Sequence, residues 1–181
     1  MRICQVDEEI SLELLELKHA EALFRLTDDN REQLGQWLFW ANDTKEVGDS
    51  AAFIQSTLHA FAEGKSLAAA IMVRGELAGV IDYHALVPAH GRAEIGYWLG
   101  KAHQGRGIMT RACRAFIGYG WSDKNLNRIV IMADIENAAS RAVPQRLGFT
   151  LEGVMREWEV KESGKRDMAL YSILRREWTE N

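Results

Sequence analysis

Proline and cysteine are both scarce: the 181 residues contain two of each, Pro88 and Pro144, Cys4 and Cys113. Two isolated prolines do not mark a linker, and no repeat or low-complexity stretch divides the chain, so a single domain over residues 1–181 is expected. The cysteines lack the close spacing of a zinc or redox motif, which argues against a disulfide framework or a metal site. Both thiols are expected to be reduced, with Cys113 as helix packing. Long apolar runs are also missing. The longest, residues 67–73, falls far short of the roughly 20 residues needed to cross a bilayer. The first nine residues turn acidic at Asp7-Glu8-Glu9 and hold no signal-peptide core, which predicts a cytoplasmic protein away from membranes. A basic excess is absent too: 22 Lys and Arg against 26 Asp and Glu give a net charge of −4. Nucleic acid is therefore not expected as the main partner.

What is present is the balance of an ordinary globular chain, 47% hydrophobic and 27% charged. Leu12, Leu14 and Leu15 read as a strand, and Ala20, Leu23, Phe24 and Leu26 as a helix running to Asp28-Asp29-Asn30. A second helix is expected to carry Leu34, Trp37 and Leu38. Asp43 or Thr44 is expected to cap a longer one with Val47, Ala51, Ile54, Leu58 and Phe61, closed by Gly64. Residues 67–73 and 77–87 read as a hairpin turning at Gly75-Glu76, ended by residues 88–91, with residues 92–100 as a third strand. Ile108, Ala112, Ala115, Phe116 and Tyr119 keep helical period to Ser122, and residues 128–133 read as a buried strand, completing a β-α-β unit. A helix over 137–147 ending at Gly148, and a hairpin of residues 149–160 with 165–174 around Ser163-Gly164, close the chain. The fold class is α/β with a mixed sheet.

The residues joining the third strand to its helix, Gln104-Gly105-Arg106-Gly107-Ile108-Met109-Thr110, carry the chemistry. Glycines between a strand and a helix let backbone N–H groups approach an anion, and the helix dipole favours negative charge there. This loop therefore reads as a diphosphate cradle, with Arg106 adding charge and Thr110 a hydroxyl. The alternative is that Gly105 and Gly107 merely make a tight turn. A Walker A loop is excluded because no Gly-Lys-Ser/Thr follows at the required spacing. A dinucleotide fingerprint is disfavoured because Thr110 stands where a small residue is needed, although Asp134 imitates a ribose-binding acid.

Gln104-Gly105-Arg106-Gly107 is similar to the Gln/Arg-x-x-Gly-x-Gly/Ala signature of the GNAT superfamily of N-acetyltransferases, with Met109 departing from its last position. Glu94-Ile95-Gly96-Tyr97-Trp98-Leu99, Asn137-Ala138-Ala139-Ser140, Leu147-Gly148-Phe149 and Glu152-Gly153 resemble the RimJ/RimL group, which includes ribosomal-protein N-terminal acetyltransferases. The resemblance spans nearly the whole chain. It implies a single GNAT-like domain whose mixed sheet, flanked by helices, is splayed around an acyl-CoA cleft between residues 92–100 and 128–133. Acetyl-CoA would be the cosubstrate, and no metal is implied.

The resemblance further implies that Trp98, Leu99, residues 104–110 and Asn137 hold the cofactor, the N–H near Leu99 polarising the thioester carbonyl. An acceptor amine is mostly protonated at neutral pH and needs a proton acceptor. Glu159 matches the base of RimL-like enzymes, and Glu94 the base of many other members; both stay open. Ser140 matches the hydroxyl that protonates the leaving thiolate. Asn137 and Ser140 also look like a helix N-terminus. The five histidines are scattered, and His103 reads as a loop residue. Trp37, Trp40, Trp158 and Arg156 are candidates for lining an acceptor pocket, with core packing as the alternative. The expected activity is acetylation of a protein N-terminal α-amine, as on a ribosomal protein. Two readings stand beside it: acetylation of a small amine such as an antibiotic, polyamine or amino acid analogue, and a non-catalytic CoA-binding sensor. By analogy with the family, a homodimer is possible.

Overall fold

A computed structural model describes residues 1–161 and 164–179. Its strands are β1 Arg2–Gln5, β2 Ile10–Leu14, β3 Leu67–Val73, β4 Glu76–Tyr83, β5 Arg92–Leu99, β6 Arg128–Asp134, β7 Thr150–Lys161 and β8 Gly164–Leu174. They form one sheet in the order β1-β2-β3-β4-β5-β6-β8-β7. Every neighbouring pair is antiparallel except β5 and β6, which run parallel. A parallel pair needs a crossover connection, here helix α5, Ile108–Ser122. The mixed sheet and the β-α-β unit thus stand as expected.

Both faces of the sheet are covered. Helices α1 Ala20–Asp29 and α4 Val47–Ala62 cover one face, with α2 Arg31–Gly35 and α3 Trp40–Asp43 between them in sequence; α5 and α6 Ala138–Arg146 pack on the other. Strand β3 explains its continuous apolar run: Leu67, Ala69 and Ile71 enter the α5 side of the core and Ala68 and Ala70 the α4 side. Along α5, Ile108, Met109, Ala112, Cys113, Phe116, Ile117, Gly120 and Trp121 form one buried stripe at helical period. Cys113 is a packing residue, as expected, and burial pushes its thiol well up.

Four local readings need correction. Strand β1 went unread because four residues carry too little alternation to register. The second helix stops at Gly35, a poor helix former; Trp37 and Leu38 lie in the following turn, and α3 begins separately at Trp40. The cap of α4 is Glu46, not Asp43 or Thr44: Asp49, three residues on, accepts the Glu46 N–H at 3.0 Å and completes a reciprocal capping box. The first hairpin turns at Arg74-Gly75, whose φ angles of 52° and 85° fit a two-residue turn matching the strand twist. Of the last hairpin's expected turn, Ser163 lies outside the described residues. No helix among the described residues is long and apolar enough to cross a membrane.

Candidate active site

The sheet opens where β5 and β6 meet. Only Arg92, Ala93 and Glu94 pair with Arg128, Ile129 and Val130. Beyond them β5 stays paired to β4 as far as Leu99, and β6 to β8 as far as Asp134. The peptide groups on the two facing edges are therefore left without a strand partner. The gap is a cleft of about 940 Å³, bordered by residues 95–99 on one side and 132–134 on the other. That is the upper part of the range for small-molecule sites.

The glycine turn stands at one end of the cleft. Gly107 is the N-cap of α5 with φ 69°, and Gly105 has φ 72°, a left-handed region that other residues enter at a cost. Nothing lies within 4 Å of where a Cβ would stand on either glycine, and the first turn of a 15-residue helix borders the cleft there. Gln104, Gly105, Gly107, Ile108, Met109 and Thr110 all border it. The Gln104 side chain donates to the Leu99 carbonyl at 3.0 Å and pins the turn to the end of β5. Leu99, Ile108 and Met109 bury their side chains in the core, so Met109 is absorbed by packing. Arg106 does not border the cleft. Its guanidinium lies 3.8 Å from Glu9, which also binds Arg111 at 3.1 Å, so the charge expected at the cradle is held by the acidic β1–β2 loop.

Glu94 enters the cleft from β5 with a partner that sequence did not flag. His84, the residue after β4, lies 3.1 Å from Asp82 through Nδ1 and 3.1 Å from Glu94 through Nε2. The hydrogen bonds to Asp82 and then to Glu94 push the imidazole up to about 10, so it is protonated at neutral pH. Gly96 makes room for this arrangement, since a Cβ there would stand 2.8 Å from Asp82 Oδ1 and 3.0 Å from His84 Nδ1. The signal was present: Asp82 is the one charged residue of the run Leu77 to Tyr83, and His84 follows it two positions later. Their link to Glu94 needs the β4–β5 register.

Glu159 borders the cleft from β7, 40% exposed, with Lys161 Nζ 3.3 Å away. Lys161 also donates to the Trp37 carbonyl at 2.9 Å, tying this end of β7 to the segment after α2. Asp134 lies at the end of β6 with Lys161 Nζ at 4.0 Å and Arg166 Nε at 3.8 Å; its Oδ1 accepts the Glu136 N–H at 2.9 Å. It shapes a turn in the cleft wall and is placed by no ribose-binding fold.

On the opposite face, Asn137 caps α6 by accepting the Ser140 N–H at 3.0 Å. The capping reading is therefore realised, and the amide NH₂ of Asn137 is left for other partners. The Ser140 carbonyl accepts the Tyr97 hydroxyl at 2.8 Å, a bond that spans the gap and fixes α6 against β5. Burial pushes the Tyr97 phenol up, which keeps it a neutral donor. Trp98 borders the cleft and packs on Trp40, ring centroids 5.7 Å apart, so packing and site contact coexist. Of the acceptor-pocket candidates Trp37 borders the cleft, whereas Trp158 is 57% exposed and neither it nor Arg156 reaches the cleft. The twisted edge strand turns them outward. His103 borders the cleft from the end of a short 3-10 turn, Lys101–His103, rather than from open loop, its buried Nδ1 unpartnered among the described residues.

A sheet split between parallel strands, with a glycine turn and helix N-terminus at one end and carboxylates and a serine on its walls, is the arrangement of an acyl-CoA-dependent transferase. Residues 9–150 match the acetyltransferase (GNAT) domain. The chain belongs to the GNAT acetyltransferase family, whose members transfer an acetyl group from acetyl-CoA. It is 38% identical over 179 residues, 98% of each chain, to the putative ribosomal N-acetyltransferase YdaF of Bacillus subtilis. A solved structure of RimL, the ribosomal L7/L12 alpha-N-protein acetyltransferase, in complex with coenzyme A superposes with a TM-score of 0.93 at 29% identity, covering 96% of this chain and 98% of that one. The microcin C7 self-immunity acetyltransferase MccE, in complex with acetyl-CoA and AMP, gives a TM-score of 0.89 at 34% identity over 93% and 94% of the two chains.

Proposed function

We propose that this chain, acting as one domain, acetylates the N-terminal α-amine of a protein, a ribosomal protein being the expected class. The observation that carries this reading is the two-sided cleft. Glu94 and Glu159 border it together with Trp37 and the segment after α2, while Ser140 and Asn137 border it from α6. Similarity to RimL supports the choice of acceptor. A ribosomal acceptor would also place the protein in the cytoplasm.

Acetyl-CoA supplies the acyl group in activated thioester form. The glycine turn and the first N–H groups of α5 fit its diphosphate, since a Cβ at Gly105 or Gly107 would fill that space. The unpaired edges of β5 and β6 offer backbone donors and acceptors to the amides of the pantetheine arm, as a missing strand would. The Asn137 NH₂ can add a side-chain donor.

The acceptor amine enters as an ammonium and must lose a proton before it attacks. Glu159 is assigned that proton, and Glu94 is the second carboxylate within the same cleft. Each carboxylate faces a cation, Glu94 the His84 imidazolium that donates to it and Glu159 the Lys161 ammonium, so the choice of Glu159 rests on the similarity to RimL. Ser140, whose hydroxyl has no hydrogen-bond partner among the described residues, is assigned the proton delivered to the departing sulfur. A peptide α-amine, with a pKa near 7.7–8.0, offers far more neutral nucleophile at pH 7 than a lysine near 10.4.

The test is mass spectrometry of peptides beginning with Ser or Ala, incubated with acetyl-CoA beside internal-lysine peptides and small amines including polyamines. Acetylation of the first residue is expected. Modification of lysine side chains or small amines alone would move the acceptor assignment, and tight CoA binding without any product would make the protein a sensor.

A further inference from the structure

The arginine and lysine side chains of the cleft wall differ in how they are held. Arg111 is bound by Asp7 at 2.5 Å and Glu9 at 3.1 Å, and Lys161 by Glu159 and the Trp37 carbonyl. Arg146 has neither a hydrogen bond nor an acidic partner within 4 Å among the described residues. It stands on the last turn of α6, on the stripe Ala139, Ser140, Val143, Arg146 that borders the cleft. Six residues of helix separate Ser140 from Arg146, about 9 Å along the axis. The charge therefore sits away from Ser140, at the far end of the stripe that α6 contributes to the cleft wall.

Arg146 also borders a second cavity of about 240 Å³, and so does Arg114, one turn after Thr110 on α5. Arg114 lies over the Trp178 ring at 5.4 Å and has no acidic partner within 4 Å among the described residues. The one carboxylate bordering this cavity, Glu177, accepts the Leu174 N–H at 3.0 Å. Two arginines from facing helices thus converge just past the diphosphate cradle, where they match a phosphate monoester in charge and donor geometry.

Resting on the reading that the cleft holds acetyl-CoA, we propose that Arg146, with Arg114 beside it, binds the ribose 3′-phosphate of coenzyme A, so that the protein distinguishes coenzyme A from its dephosphorylated form. An arginine that only complemented the C-terminal dipole of α6 would make no such distinction.

Calorimetric titration of the full chain with coenzyme A and with dephospho-coenzyme A tests this. The wild type should favour coenzyme A by about tenfold or more, the scale of one charge-assisted hydrogen bond. Arg146→Gln should bring the ratio close to one by weakening coenzyme A alone, Arg146→Lys should restore part of it, and Arg114→Gln should reduce it less. Equal affinities in the wild type, or an Arg146→Gln that weakens both ligands alike, would overturn the assignment. A wild type that binds neither molecule would instead overturn the cleft reading on which it rests.

Discussion

Gly107 and Gly64 offer a matched pair of perturbations. Their φ angles are 69° and 70°, and neither has any atom within 4 Å of where a Cβ would stand. An alanine at either position meets the same left-handed backbone cost, about 1–2 kcal/mol, and no steric contact in the free protein. For a chain of this size that corresponds to a Tm lower by roughly 2–8 °C at both sites. The positions differ in what surrounds them. Gly64 follows α4 away from the cleft, whereas Gly107 caps α5 at the mouth of it. If the turn holds a diphosphate through backbone N–H groups, a side chain at 107 takes up the space of the anion. Losing one or two charge-assisted hydrogen bonds, at about 1.5–3 kcal/mol each, should weaken coenzyme A by about tenfold to roughly ten-thousandfold. Gly107→Ala and Gly107→Val should therefore combine the thermal loss with a loss of affinity, graded by size, while Gly64→Ala shows the thermal loss alone. Thermal denaturation and calorimetric titration read the two effects separately. Unchanged coenzyme A affinity in Gly107→Val would refute the cradle.

For the acid–base assignment, Glu159→Gln and Ser140→Ala are each expected to lower kcat by on the order of 10² or more with CoA affinity near wild type, while Glu94→Gln has the smaller effect; steady-state kinetics would reverse the carboxylates if Glu94→Gln proves the damaging one. His84 is raised from about 6.5 to about 10, so its contribution to stability is complete below pH 6.5 and declines as pH rises toward 10. His84→Gln should abolish that slope in urea titrations run from pH 6 to 10, and an NMR titration in which His84 loses its proton near 6.5 would contradict the bridge. Glu152 is held down to about 2 by hydrogen bonds from Arg128 and Ser172, so its contribution is present above about 4.5 and lost as pH falls toward 2. Glu152→Gln should lose part of the wild type's excess stability at neutral pH, discounted for solvent screening, and the two proteins should converge below pH 2.

The elements that carry the cleft were legible because their signals are local. The buried stripe of α5, the glycines at 105 and 107, the apolar run of β3 and the Asn137-x-x-Ser140 cap each depend on residues a few positions apart. The family resemblance lay in those same segments and brought with it the split sheet. Sequence alone thus determined the α/β class, the boundaries of α5 and the place of the glycine turn before it.

Long-range pairing decided the rest. His84 becomes a fixed imidazolium only because the β4–β5 register sets Asp82 opposite Gly96 and brings Glu94 within reach. Arg106 looked like a ligand for phosphate until the β1–β2 loop, about a hundred positions earlier in the chain, was found to present Glu9 to it. Lys161 reaches the Trp37 carbonyl across a separation of 124 residues, and the exposure of Trp158 follows from the path of an edge strand. Periodicity and motif spacing report the face a residue takes on its own element; which charges meet there depends on strand order and register, and these exist only once the sheet has formed.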